Sequence, residues 1–450
     1  MAGEGYFPGW RLKTQGAVMP DERLPAGQTV VLGLQHVVAM FGATVLAPIL
    51  MGFDPNVAIL FSGIATLIFF VAVGGRVPSY LGSSFAFIGP VLAATGATVG
   101  QANSNIAVAL GGIIVAGAIY TAIGVVVAFA GHRWVERLMP PAVTGAIVAA
   151  IGLVLAPIAI ASASGTSATD PAGGAFPRWI ALITVVAVGL VAVYAPGFWR
   201  RLPILIGAAL GYFVYLVLAN GFGIGAPIDF SKVGAAPWLG LPQFASPVFS
   251  GTAISLIAPV AIILVAENLG HIKGIGAMTG RNLDPYLGRA FMGDGVATML
   301  SGFFGGTGVT TYAENMGVMA VTRIYSTLLF VAAACIAILL GFSPKFGALI
   351  QTIPVPVLGG LSIVVFGLIA AAAGRIWVEN RVDFSQPRNL VPVAVALVLG
   401  AGNFKLNVAG FTLDGIGTAT FGAIILYHIL NRAEATDERD AKAPSGTADA

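Results

Sequence analysis

From residue 28 to residue 431 the chain runs through one apolar stretch after another: 28–50, 56–74, 104–130, 141–162, 178–196, 203–221, 253–274, 324–342, 355–373, 389–402 and 412–431. A hydrocarbon layer of about 30 Å takes roughly 20 apolar residues as a helix. Within it every backbone polar group must be satisfied by the protein itself, so only helices and closed barrels cross. A barrel would show alternating segments of about ten residues, and the sequence has none. Only 9% of the 450 residues are charged, against about 25% in soluble domains. The chain therefore reads as an all-α polytopic membrane protein. Its net charge of +3 is spread over the loops and offers no patch for nucleic acid. The single cysteine, Cys335, excludes an intramolecular disulfide and any cysteine-based metal cluster.

Two further stretches, 80–97 and 307–321, are Gly-rich and too interrupted for simple spans, and 288–304 is a marginal one. Together these make fourteen crossings. With both ends inside, only Arg178, Lys232, Lys345 and Lys405 of the 22 basic residues fall outside, as the positive-inside rule requires. Fourteen divides into seven and seven. Seven is odd, so the second half enters from the opposite side and the repeat is inverted. The third stretch of each half is the broken one: Gly74-Gly75 precedes SYLGSSFAFIGPV, and Gly305-Gly306 precedes TGVTTYAENMGVM. Interrupted segments at corresponding positions point to a binding site near the bilayer midplane. Their extended pieces are expected to pair with each other, with the N-termini of their half-helices aimed at the centre. The expected organisation is a polar arm (1–26), a first repeat (27–222), an external connection (223–252), a second repeat (253–431) and a polar, disordered tail (432–450). Phe7 and Trp10 of the arm are expected to rest on the membrane interface.

Few ionisable residues lie within these stretches, and each is a functional hypothesis. Glu267 and His271 are four apart and share a helix face, an arrangement suited to reversible protonation. Glu314 and Asn315 open the second half-helix, where capping and ligand contact are compatible. Asp294 suits either proton coupling or a structural hydrogen bond, and His36 reads as a core histidine. Phe85, after Gly82-Ser83-Ser84, offers a ring face and a backbone N–H, with Tyr312 and Ala313 opposite it. Two carboxylates, an aromatic face and backbone donors suit a small, flat, neutral ligand rich in N–H and C=O groups, and uracil fits. An anion fits poorly, since no Arg or Lys falls at the expected midplane. No zinc-type His/Glu spacing and no nucleophile elbow is present, so transport is favoured over enzymatic chemistry. No metal or cofactor is expected.

Residues 314–323, ENMGVMAVTR, carry a specific pattern: an acidic or amide residue, Asn, any residue, Gly, four variable positions, Thr, Arg. This resembles the signature of the nucleobase/ascorbate transporter family. The likeness extends through QHVVAMFGATVLAPIL (35–50), PSYLGSSFAFIGP (78–90), LMPPAVTGAIVAAIGL (138–153), VAENLGH (265–271) and TTYAENMGVMAVTRIYST (310–327), and is closest to the uracil permease branch. The resemblance implies the seven-plus-seven inverted repeat, a core domain of spans 1–4 and 8–11 that carries the site, and a gate domain of spans 5–7 and 12–14. It implies proton-coupled uptake of uracil across the bacterial inner membrane by an elevator-like movement, usually in a homodimer. Carried over, Glu267 and Glu314 would bind the base, Phe85 would stack on it, Ala313 would contribute backbone and Tyr312 would line the pocket. His271 would support Glu267, and His36 and Asn315 would form a polar pair between the first and tenth spans. Asn268 stands where uracil permeases often show a second His, and Asp294 where an amide is common. Glu267, His271 and Asp294 are therefore all candidates for the coupled proton. A purine such as xanthine as the substrate, or uncoupled facilitation, remain the alternatives. The same architecture also hosts sulfate and bicarbonate transporters, so fold alone does not fix the substrate.

Overall fold

The structure is a computed structural model that describes residues 5–97, 103–165, 173–197, 199–408 and 411–442. The arm holds a short parallel pair, β1 (Arg11–Leu12) and β2 (Glu22–Arg23). Then follow α1 (Ala26–Met51), α2 (Pro55–Ala72), β3 (Leu81–Ser83), a 3-10 turn (Phe85–Phe87), α3 (Ile88–Thr95), α4 (Ile106–Ala130), α5 (Arg133–Leu138), α6 (Pro141–Ser164), α7 (Ala175–Tyr194) and α8 (Pro203–Leu216). A connection with the short α9 (Ser231–Ala235) leads to α10 (Gly251–Ile257), α11 (Val260–Thr279), α12 (Leu287–Phe303), β4 (Val309–Thr311) and α13 (Ala313–Thr322). The chain ends with α14 (Thr327–Gly341), α15 (Pro344–Gln351), α16 (Val355–Glu379), α17 (Pro387–Ala401), the hairpin β5 (Leu406–Val408) and β6 (Phe411–Leu413), and α18 (Gly415–Lys442).

Among the described residues, eight helices are long and apolar enough to cross a membrane, or nine if α14 and α15, bent by 81°, count as one. The chain is thus an all-helical, multi-pass membrane protein. The stretch 253–274 is interrupted at Ala258–Pro259 between α10 and α11, which together form one span, Gly251–Thr279. α18 continues to Lys442, so the first part of the polar tail extends a helix where disorder was expected. Residues 443–450 lie outside the described residues.

The helices pack in two groups. α4 lies along α12, α14 along α2 and α1, and α2 along α12; separately, α6 packs on α16, α17 and α18, and α7 on α8 and α16. Contacts between the groups are sparser and run from α11 and α3 to α6, from α1 to α8, and from α10 to β6. Close approach needs small residues where there is no hydrophobic drive between helices in lipid. A Cβ added at Gly124 of α4 would meet Met292 N of α12 at 2.6 Å. The outermost helices are α7 and α8, only 28% and 22% buried over their apolar windows, against 67% for α2. Phe7 and Trp10 lie against α2. Both stack on Phe70 of α2 (5.6 and 5.9 Å between centroids), and Trp10 Nε1 donates to Thr327 Oγ1 (3.0 Å). The arm is thereby held against α2, with Phe7 still 39% exposed.

Candidate functional site

The two broken segments meet as an antiparallel pair, with Leu81 opposite Thr311, Gly82 opposite Thr310 and Ser83 opposite Val309. Ser84 N donates to Gly308 O (2.9 Å) and Tyr312 N to Tyr80 O (3.0 Å), extending the ladder at both ends. A two-stranded ribbon in an apolar surround has two open edges, and these must find partners. They find threonines. Thr66 of α2 accepts from Leu81 N (2.9 Å), and Thr298 of α12 accepts from Val309 N (3.2 Å). Both strands are fully buried. At the centre an added Cβ on Gly82 would sit 2.5 Å from Tyr312 Cζ and 2.6 Å from Thr44 Oγ1, so only glycine admits the tyrosine ring there.

Each strand turns directly into a helix. Ser84 caps the turn Phe85–Phe87, accepting from Ala86 N at 3.3 Å, and α3 continues it. On the other side α13 starts at Ala313. Glu314 lies in its first turn, where the positive end of the helix dipole favours a carboxylate. Phe85, Glu267, His271 and Glu314 are half-buried and Ala313 is exposed, beside strands that are wholly closed. The segments and α11 thus present their chemistry to an opening. α11, which carries Glu267, packs against the Phe85 turn, β4 and α13, which carries Glu314. Phe85 meets the ring of Phe366, on α16 of the other helix group, edge-on at 6.0 Å.

The expected His36–Asn315 pair is present: Asn315 Nδ2 donates to His36 O (3.1 Å) and lies 3.0 Å from His36 Nδ1. Two other residues sit differently from expectation. His271 is not hydrogen-bonded to Glu267. Their spacing puts both on one face, but the Thr311 hydroxyl of β4 reaches the ring first, with Nδ1 2.8 Å from Oγ1. Tyr312 does not face the opening. It is 3% exposed, and its hydroxyl donates to Ser83 O (2.9 Å) and accepts from Thr44 (3.1 Å). Asp294 is fully buried and bonds Asn268, with Tyr120 OH at 3.4 Å from the same oxygen, Oδ2. Its Oδ1 has no hydrogen-bond partner.

Thr44, Thr66, Tyr120, Thr298 and Phe366 were not legible in the sequence as parts of this site. Their signal is only a polar or aromatic residue inside an apolar helix, which occurs at many positions. Among the described residues no group of three or more His, Cys, Asp or Glu could hold a metal ion.

Comparison with known proteins bears on this arrangement. The model of the Permease family Xan_ur_permease matches residues 27–409. The chain is 63% identical over 430 residues (95% of this chain, 96% of the other) to "Putative pyrimidine permease RutG" of Escherichia coli (strain K12). This agrees with the likeness of the opening, PDERLPAGQTVVLGLQHVVAMFGATVL (20–46), to the pyrimidine permease of the Rut pathway. It is 42% identical over 433 residues (94% and 99%) to a uracil permease of Paenibacillus larvae, and 40% identical over 417 residues (91% and 93%) to the uracil permease of E. coli K12. Among solved structures it resembles the transmembrane domain of the cyanobacterium bicarbonate transporter BicA (TM-score 0.60, 17% identity, 89% and 97% covered). It also resembles the murine anion transporter Slc26a9 in its inward-facing state (TM-score 0.67, 12% identity, 94% and 69% covered). At these identities the structural likeness is one of fold alone.

Proposed function

The chain belongs to the xanthine/uracil permease family, the nucleobase/ascorbate transporters whose signature it carries, and on that premise we propose that it imports uracil together with a proton. The protein is a permease and not an enzyme. The observation that carries the reading is the antiparallel ribbon, from whose opposite ends the Phe85 turn and α13 start beside α11. There Phe85, Glu267, Ala313 and Glu314 are partly exposed among closed neighbours, and no Lys or Arg belongs to the set. Uracil stacks on Phe85 and takes its backbone N–H and that of Ala313 through ring carbonyls. Its ring N–H groups donate to Glu267 and Glu314. Tyr312 supports the site from behind by holding β3 to β4.

Two carboxylates that both face a neutral base need a counter-charge. A proton held among Glu267, His271 and Asp294 supplies it and couples import to the membrane potential, worth roughly 2.3 kcal/mol per charge per 100 mV. The proposed frame has fourteen spans in an inverted seven-plus-seven repeat, with both termini cytoplasmic, in the inner membrane of a bacterial cell. The two helix groups support a division into a core (spans 1–4 and 8–11) and a gate (spans 5–7 and 12–14). Their sparse mutual contacts suit an elevator-like movement of one against the other. The little-buried α7 and α8 leave a face for a homodimer.

The test is uptake of labelled uracil into proteoliposomes under an inward proton gradient, with and without an uncoupler and with excess unlabelled xanthine. Accumulation that collapses with uncoupler and withstands xanthine is expected, and Glu267→Gln is expected to abolish it. Equilibration without accumulation would reduce the protein to a facilitator. Uptake blocked by xanthine would move the substrate to the purines.

A further inference from the structure

The connection between α8 and α10 is unlike an ordinary surface loop. No charged residue occurs between Lys232 and Glu267. Residues 236–249, APWLGLPQFASPVF, form neither helix nor strand. Trp238, Leu239, Leu241, Phe244, Val248 and Phe249 are all exposed, Trp238 and Leu239 by 78% each. Apolar residues scattered singly over a surface are ordinary, but a contiguous run marks an interaction site.

Hydrogen bonds fix where this run lies. α2 meets the N-terminal arm at Val71, whose O accepts from Tyr6 OH (2.7 Å), and meets the run at Asp54, whose Oδ2 accepts from Gln243 N (3.2 Å). α14 meets the arm at Thr327 and the run at Phe342, whose O accepts from Gly240 N (2.9 Å). The run therefore crosses the helix ends opposite the arm. Val248 N donates to Ala107 O at the start of α4 (2.7 Å), and Phe244 meets Phe304, just past α12, edge-on at 5.8 Å. α2, α4, α12 and α14 all belong to one packing group. α2 and α4 are long and apolar enough to cross a membrane, so the run lies level with the ends of spans. Phe304 is itself exposed and continues the apolar surface onto α12. Beside it, Lys345 N donates to Pro237 O (3.0 Å), and Lys345 Nζ stands 5.0 Å from the centre of the Trp238 ring.

We propose that residues 236–249 lie in the lipid interface on that side of the membrane, so that the partner of this surface is the phospholipid layer itself. The exposed apolar side chains enter the boundary between headgroups and acyl chains, the level at which tryptophan collects. Lys345 carries its ammonium outward on an apolar stem to the headgroup phosphates, and the run holds no carboxylate to repel them. Irregular backbone is not tolerated against hydrocarbon, which sets the depth: the run stays where water and headgroups serve its backbone. Pro237, Pro242 and Pro247 lack an N–H and lower that demand. This goes beyond the transport reading and needs only that the chain crosses a membrane.

The experiment uses the full-length protein in lipid nanodiscs, which leave both faces open to solvent. The emission of Trp238 is taken as the difference between the native protein and Trp238→Phe, so that the other tryptophans cancel. Lipids brominated high on their acyl chains are expected to remove most of it. The proposal is overturned if they do not, whichever way acrylamide then acts: quenching by acrylamide alone places Trp238 in water, and quenching by neither places it under protein, such as a second copy of the chain. Should Trp238→Phe not stay monodisperse, Leu241→Cys and Phe249→Cys in a Cys335→Ser background each carry a nitroxide, with Lys232→Cys as reference. The ratio of collisions with oxygen to collisions with a water-soluble nickel chelate is expected to be severalfold higher at positions 241 and 249 than at 232, and equal ratios would again overturn the proposal. Neither assay contains uracil or a proton gradient, so a failure here and a failure of the transport reading are separately visible.

Discussion

β3 with its half-helix and β4 with its half-helix are built alike and equipped differently. In each, the first residue of the strand is capped by a threonine of a neighbouring helix, Thr66 for Leu81 and Thr298 for Val309. From the middle pair Gly82–Thr310, three steps along the chain lead to Phe85 on one side and Ala313 on the other. The first segment thus delivers a ring; the second delivers a small residue and then a carboxylate, Glu314. The pairing satisfies the backbone and is indifferent to the side chains beyond the strand ends. The chemistry lives in those side chains, so one scaffold can hold an aromatic platform against an acidic acceptor.

The largest expected effect separates the two sets of equipment. Glu314→Ala should weaken uracil binding by roughly 10- to 100-fold, the range for a hydrogen bond to a charged group, as read by equilibrium binding in detergent. If it matters no more than an Ala313 substitution, the second segment is not the acceptor side. The shared scaffold is tested next. Thr66→Val and Thr298→Val each leave a strand-edge N–H without its partner, at about 1–3 kcal/mol. Thermal melts should show similar losses for both, and a loss confined to one would break the symmetry claimed for the backbone. Phe85→Ala should cost about 0.5–1.5 kcal/mol of affinity, the scale of an aromatic contact beyond area burial, while Phe85→Tyr keeps most of it.

The smallest effect concerns a strap that only the second segment has, the arm bonded to Arg323 at the end of α13. Burial works to raise Glu22 of that arm, but the Met19 N–H and the Lys13 ammonium outweigh it and hold the carboxyl below its usual 4.5. A depressed carboxylate contributes stability that is fully present above its unfolded value and is lost as pH falls through the folded one. Below about pH 4.5 the arm should loosen by under about 1 kcal/mol, the range of a screened ion pair. Hydrogen exchange should then quicken at residues 319–325 and not in α3.

Much of the candidate site could be read from the chain. Phe85, Glu267 and Glu314 were visible because a carboxylate, or a Gly-Ser run before an aromatic, is out of place in an apolar stretch; the His36–Asn315 pair came only from the family resemblance. The partners of His271, Tyr312 and Asp294 were not. A hydroxyl on another element, Thr311 or Thr44, competes for the same hydrogen bond, and no spacing along a helix shows how near it comes.

The sequence by itself determined that the chain is helical and lies in a membrane, and that its interrupted segments are special. Hydrophobic length and the cost of unsatisfied backbone leave no other solution. Only the tertiary structure decided that those segments pair strand to strand with threonines on their edges, and that α11, which carries Glu267, packs on α13, which carries Glu314. It alone decided that the uncharged run 236–249 crosses the ends of α2, α4, α12 and α14. These facts depend on distances between residues hundreds of positions apart, which composition and periodicity do not encode.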